Sequence, residues 1–487
     1  MLRFTKPDYA KIWLILMSAW FYAYFSIPYL FLLLGSILFN YFLCTRLWQK
    51  KQKSKSDFSV DTADLHEESV RCKQSVVSRK RILIIGVVCN LGLLFVFKYY
   101  NFFIENLNQL YQGKFTSLAL ILPLGISFYT FQEISFLADT YRGETSETKP
   151  IDFMLFILFF PQLVAGPIIS HENLLPNIRD LKWQQADPEE IAKGIYLFTF
   201  GLFKKVILAD SIGKTVAFGY ADFSVLDSAG VLLTMLSFVL QIYLDFSGYS
   251  DMAIGLGRLF GFTLPMNFDR PYLSSTIMEL WKRWHMTLSA FLIKNIYIPL
   301  GGNRKGKLRT YINLVLVFLI SGMWHGAAWN YVLWGLLNGV AFIINKLFYG
   351  QIKKLPIWLS TILTFLVTIM FHSVFRCESL AQVGEMFSRL FSFTFTGMPD
   401  KFLQTFRWPE VWYVIKTLKL DALSWANYLC IGIIGVLFFC FLVFAEKKEM
   451  QSGNFCVTNR MAVVSAVMFI WCVISLSSVS VFLYFNF

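Results

Sequence analysis

The stretch ILIIGVVCNLGLLFVFKYYNFF, residues 82–103, holds one lysine near its end and no acidic residue. A helix needs about 20 such residues to cross the hydrocarbon core of a bilayer, so this run is long enough to span one. Similar runs recur along the chain. Lys11 to Trp48 is apolar over the length of two helices, with a break at Ser26, Ile27 and Pro28 that predicts a hairpin over residues 1–48. Further spans are expected near Ser117 to Leu137, Ile151 to Ile169, Ile191 to Leu208, Gly230 to Leu244, Tyr311 to Met323, Tyr331 to Phe348, Ile357 to Phe375, Ala426 to Phe444 and Met461 to Phe485. That gives roughly 10–12 membrane helices. The runs lack the alternation of barrel strands, so the expected fold is all-α and polytopic.

Composition agrees. Of 487 residues, 56% are hydrophobic and only 15% charged, more apolar surface than a soluble domain can hide. The net charge of +13 does not point to nucleic acid, because the Lys and Arg residues lie between the apolar runs, where they anchor helix ends and orient the chain. The segment Lys50 to Arg81 carries nine basic and five acidic residues, against one of each from Glu105 to Thr116. By the positive-inside rule the first, a basic loop over 49–81, is cytoplasmic and the second lies outside. Eight cysteines are scattered without a CxxC pair, several inside apolar runs, and read as packing residues rather than disulfides or metal ligands. No cleavable signal peptide is read at the N-terminus, whose apolar stretch lacks a small-residue cleavage site.

Two regions interrupt the pattern. Asp245 to Gly302 mixes Gly, Pro, Asn, Asp, Arg and His with large apolar residues, a density no lipid-facing helix tolerates. It predicts re-entrant or interfacial helices lining a chamber, within a core over 82–377. Residues 378–425 read as an amphipathic, non-spanning segment, followed by C-terminal membrane helices over 426–487.

Five histidines are candidates for chemistry. His66 sits in the basic loop and reads as a solvated surface residue, His171 as a cap or interfacial residue, and His372 as a packing or hydrogen-bonding residue. His325 stands between Trp324 and Gly326 in an otherwise apolar helix, where an ionisable group is costly unless it faces a cavity or a partner. Its neutral form can take a proton near pH 7, as a general base must; a satisfied structural histidine is the competing reading. Gly326 would let a substrate approach the backbone, or simply ease helix packing. His285 lies four residues after Trp281, which predicts a shared helix face. Lys282 and Arg283 beside it could meet phosphates or lipid headgroups, or form an interfacial basic belt. Asp245 and Asp251 are the acids of a polar cluster, and Arg258, seven residues past Asp251, is an expected partner for it. Two histidines forty positions apart do not have metal-ligand spacing, so no metal is expected.

The motifs together resemble a known family. DFSGYSDMAIGLGRLFGF, NFDRPY, WKRWHMTLS, YIPLGGNRKG and GMWHGAAWNYVLWGLLNG, in that order between Tyr243 and Gly339, look like the core of the membrane-bound O-acyltransferases, and closely like their bacterial alginate O-acetyltransferase branch. LPLGISFYTFQEISFLADTYRG, FFPQLVAGPI and FRCESL are similar to the same branch, so the resemblance covers most of the chain. Members of the branch usually have one more apolar span ahead of the first hairpin, and the stretch from Lys50 to Val77 is longer and more polar than the family pattern.

The resemblance implies a helical ring around a funnel and tunnel, with His325 as the central catalytic residue and His285 as its partner. It implies acyl transfer from a thioester that enters from the cytoplasm, with acetyl-CoA as donor and no permanently bound cofactor. The acceptor would be an extracytoplasmic polysaccharide or cell-wall polymer, reached with an SGNH-hydrolase-like partner at the bacterial cytoplasmic membrane. On this reading Lys282, Arg283, Arg304 and Lys305 would form a basic rim for the donor phosphates, and Trp324, Gly326, Trp281, Asp245 and Asp251 would line the tunnel. D-alanyl transfer to teichoic acid from a carrier-protein thioester is the nearest alternative, and a polysaccharide or small-molecule transporter is the alternative from another class.

Overall fold

The computed structural model describes residues 7–56, 65–164, 166–180, 187–445, 453–476 and 483. Every regular element among them is helical. Among the described residues, six helices are long and apolar enough to cross a membrane: Ile27–Lys51, Val76–Tyr111, Ser228–Leu259, Lys307–His325, Ile357–Arg376 and Ala426–Val443. The expected span Met461 to Phe485 lies partly outside the described residues, and the other expected spans are shorter or carry buried polar or charged groups.

The chain forms two compact units, Met1–Ile191 with Leu256–Pro265, and Ala192–Gly255 with Met266–Phe487. In the first, α1 (Pro7–Phe25) and α2 (Ile27–Ser56) meet at Ser26, where the expected break falls. Pro28 sits in the first turn of α2, where its missing N–H leaves no carbonyl unpaired. The basic segment is not a loop along most of its length. α2 continues to Ser56 and α3 (Leu65–Leu94) begins before His66, because Lys, Arg, Gln and Glu are good helix formers. The intervening residues 57–64 lie outside the described residues. A π turn, Phe95–Tyr99, joins α3 to α4 (Tyr100–Tyr111).

The expected span from Ser117 is helical only from α5 (Ile126–Arg142) onward. Pro123 and Gly125 stop a helix from forming before it. The irregular segment is instead pinned by asparagines: Asn101 exchanges two hydrogen bonds of 2.8 Å with the Leu118 backbone, and Asn108 bonds Phe115 in the same way at 2.9 and 3.0 Å. The span expected from Ile151 is likewise broken, into α6 (Pro150–Leu158) and α7 (Phe160–Leu163), with Pro161 in the first turn of the second piece. α8 (His171–Asp180) follows. Charged groups buried here find partners: Lys11 pairs with Asp152 at 2.6 Å, and the Glu133 carboxylate takes Ser36 at 2.7 Å and Asn40 at 3.0 Å.

The second unit takes most of α9 (Pro188–Phe203), a π segment over Lys204–Ala209, and α10 (Asp210–Ala221). α11 (Ser228–Leu259) runs straight through the polar cluster at 245–251, which the sequence reading assigned to an irregular segment. The helix persists because its acids are neutralised by side chains from the π segment. The irregular stretch therefore starts near Phe260, and it holds two short helices, α12 (Ile277–Arg283) and α13 (Met286–Leu292). α14 (Lys307–His325), α15 (Trp329–Leu347), the single turn α16 (Tyr349–Ile352) and α17 (Ile357–Arg376) come next. The region after Cys377 consists of the short helices α18 (Leu380–Leu390), α19 (Asp400–Gln404) and α20 (Pro409–Thr417), none of spanning length, before α21 (Ala426–Cys440) and α22 (Asn459–Ser475).

Candidate active site

α14 and α15 are joined by the three residues 326–328, and their backbones nearly touch. A Cβ added at Gly322 would lie 2.2 Å from the Tyr331 carbonyl oxygen, and one at Gly326 would lie 2.0 Å from the Tyr331 ring. Small residues at such crossings let two helices approach closely. The space over Gly326 is thus filled by Tyr331. The tight joint fixes His325, the last residue of α14, in a buried position.

Aromatic rings surround it. Trp324 lies 4.8 Å from the His325 ring, Phe375 of α17 5.2 Å and Trp334 of α15 5.4 Å, all edge to face. Trp281 of α12 stands 5.7 Å from Trp334. The His285 ring is 6.3 Å from that of His325. At that separation one substrate oxygen can lie within hydrogen-bond reach of both imidazoles.

His285 does not share a helix face with Trp281. α12 ends at Arg283, and His285 stands between α12 and α13 in the left-handed region, at φ +44°. A non-glycine residue held there costs about 1–3 kcal/mol, so the surroundings must impose it. Asn267, fully buried, does so. Its Oδ1 accepts the Thr287 backbone N–H at 3.2 Å and the Thr287 hydroxyl at 2.9 Å, and its backbone carbonyl accepts the Met286 N–H at 2.9 Å. The same Oδ1 lies 3.2 Å from His285 Nδ1. A backbone N–H can only donate, so this atom of Asn267 is the amide oxygen, and neutral His285 donates to it from Nδ1. The lone pair is then on Nε2. Phe246 of α11 lies edge to face on the other side, 4.7 Å from the His285 ring.

His372, read from sequence as a packing or hydrogen-bonding residue, lies in α17 near this site. It hydrogen-bonds the Thr368 carbonyl from Nδ1 at 3.1 Å and abuts Trp284 at 4.9 Å, the neighbour of His285. His171 belongs to the first unit, where its Nδ1 is 3.0 Å from Asp139 and the other oxygen of Asp139 takes Arg142 at 2.8 Å.

The acids of α11 are held by ion pairs. Lys204 meets Asp251 at 2.8 Å, and Lys205 bridges Asp245 at 2.8 Å and Asp210 at 2.6 Å. The Leu483 N–H also donates to Asp245, at 2.9 Å. The expected pairing of Asp251 with Arg258 does not occur; Arg258 pairs with Glu190 instead. The sequence reading passed over Lys204 and Lys205 as part of an apolar span, although two adjacent lysines in such a run need buried acids as partners. Of the expected basic rim, Arg283 pairs with Glu279 at 2.7 Å, while Lys282, Arg304 and Lys305 are exposed.

Residues 14–381 match the family model described as MBOAT, membrane-bound O-acyltransferase family. The chain belongs to this family. It is an integral membrane O-acyltransferase, as its buried histidine pair and polar membrane helices accord with. The chain is 35% identical to a peptidoglycan O-acetyltransferase of Helicobacter pylori, over 99% of this chain and 92% of that one. It is 35% identical to a probable alginate O-acetylase of Pseudomonas aeruginosa, over 79% and 70% of the two chains. A teichoic acid D-alanyltransferase of Bacillus subtilis is 28% identical, over 52% and 67%.

Proposed function

We propose that this O-acyltransferase takes an acetyl group from cytoplasmic acetyl-CoA and delivers it, across the bacterial cytoplasmic membrane, for O-acetylation of an extracytoplasmic polysaccharide. Peptidoglycan is the favoured acceptor, since similarity to the peptidoglycan O-acetyltransferase runs almost end to end. The observation that carries the reading is the pair of buried imidazoles, His325 and His285, 6.3 Å apart in an aromatic wall.

In this mechanism His325 takes the proton of a hydroxyl, whose oxygen attacks the thioester carbonyl carbon. The new C–O bond forms, the C–S bond breaks, and the leaving thiolate receives a proton. A positioned base of this kind contributes about 10²- to 10⁴-fold in rate. His285, whose Nδ1 hydrogen bond to Asn267 leaves the lone pair on Nε2, orients the hydroxyl. An extracytoplasmic SGNH-hydrolase-like partner would pass the acetyl group to the polymer. The basic segment from Lys50 to Arg81 faces the cytoplasm. The exposed Lys282, Arg304 and Lys305 meet the donor's phosphates.

The test is base-released acetate from the surface polymers of the native host carrying His325→Ala or His285→Ala. Loss of acetate in a folded, membrane-inserted His325→Ala protein is the expected result, and unchanged acetate overturns the reading. Release of D-alanine instead of acetate from wild-type polymers would move the cargo to the D-alanyl alternative.

A further inference from the structure

Trp334 stands beside His325 and Trp281 stands against Trp334, and each carries a hydrogen-bond donor. The indole N–H groups of Trp281 and Trp334 are buried and have no hydrogen-bond partner among the described residues. Buried side-chain donors are nearly always satisfied, and leaving one unmade is costly, so two such groups on rings in contact call for an explanation. Tryptophans of a membrane protein usually turn this N–H toward interfacial water, but these two are enclosed. Their rings lie 5.7 Å apart, Trp334 is 5.4 Å from His325, and Phe318 and Phe375 close round them with carbon alone.

We infer that the Trp281 and Trp334 indoles donate to the carbonyl oxygen of the acyl group being transferred, and stabilise the negative charge that it gains. The inference rests on the acyl-transfer reading above. An indole N–H can only donate, so its ligand must be an acceptor atom. The attacking hydroxyl is a poor candidate. Two donors on its oxygen would draw away the electron pair that must attack, whereas the carbonyl oxygen gains a full charge as the C–O bond forms. That charge returns to the carbonyl when the C–S bond breaks, so no further reactant is needed. Donors preset beside an apolar surface act most strongly on charge that develops only in the transition state.

The experiment replaces each indole N–H without changing ring shape, by incorporating benzothienylalanine at Trp281 or at Trp334 in the full-length, detergent-purified protein. Thiol release from acetyl-CoA is followed after the protein is returned to native-host membranes that lack their own copy but keep the transfer partner, with soluble glycan strands of peptidoglycan as acceptor, beside thermal unfolding in detergent. We expect kcat to fall about 10²-fold for each replacement, with KM for acetyl-CoA within about twofold of wild type and an unchanged unfolding midpoint. A kcat within about threefold of wild type in both variants, or a loss carried by KM alone, overturns the role of the indoles. Failure of the acyl-transfer reading looks different, because wild-type protein would then release no thiol.

Discussion

The amide oxygen of Asn267 lies 3.2 Å from His285 Nδ1 and at the same time holds both donors of Thr287. One buried side chain therefore sets the backbone turn that carries His285 and the tautomer that its ring adopts. Asn267→Ala removes an acceptor from three buried donors, each worth about 1–3 kcal/mol when left unmade. We expect a lower unfolding midpoint and a drop in activity of about 10²-fold, at the low end of what a positioned acid or base contributes. The decisive measurement is the double variant. If Asn267 acts through His285, adding Asn267→Ala to His285→Ala lowers the rate little further, while independent roles would multiply.

At Gly326 the backbone is extended, a conformation open to any residue, so only the Tyr331 ring 2.0 Å from the Cβ position excludes a side chain. Gly326→Ala should destabilise the α14–α15 joint by about 1–3 kcal/mol, the usual cost of overpacking, and displace His325 with it. Shortening the obstacle should repair the damage. In Tyr331→Leu protein the same Gly326→Ala change should cost less in both stability and rate, and an equal cost would show that the crowding lies elsewhere.

Lys204 and Asp251 are both almost wholly inaccessible, and their 2.8 Å contact neutralises a charge inside the second unit. Breaking such a pair by removing one partner typically costs about 3–5 kcal/mol, whereas replacing both by apolar groups is often neutral. Lys204→Met should therefore unfold at a clearly lower temperature than wild type. Lys204→Met with Asp251→Leu should recover most of the loss, unless the pair also serves transfer, in which case stability returns and activity does not.

Local sequence made the membrane class legible, because apolar length is a short-range signal. Longer-range relations were not legible. Asp251 and Arg258 both lie in α11, about two turns apart, yet each meets a charge from another segment, Lys204 or Glu190, that no spacing rule reveals. The four-residue spacing of Trp281 and His285 failed for a related reason. The helix between them stops at Arg283, and the left-handed turn is imposed by Asn267, eighteen positions earlier. Polar residues in 245–251 likewise argued for re-entrant or interfacial helices, whereas they lie within the single long α11, their acids paired with Lys204 and Lys205.

Sidedness follows from charge alone and can be measured directly. The nine basic residues between Lys50 and Arg81 should hold the α2–α3 connection on the cytoplasmic side, since moving them across the membrane would oppose the positive-inside bias. A single cysteine placed between residues 57 and 64, in protein whose own cysteines including Cys72 are replaced, should resist a membrane-impermeant maleimide added to intact cells and react once the cells are opened. A second cysteine between residues 113 and 116 should react from outside. Reversal of both results would invert the orientation, and with it the side from which the thioester reaches His325.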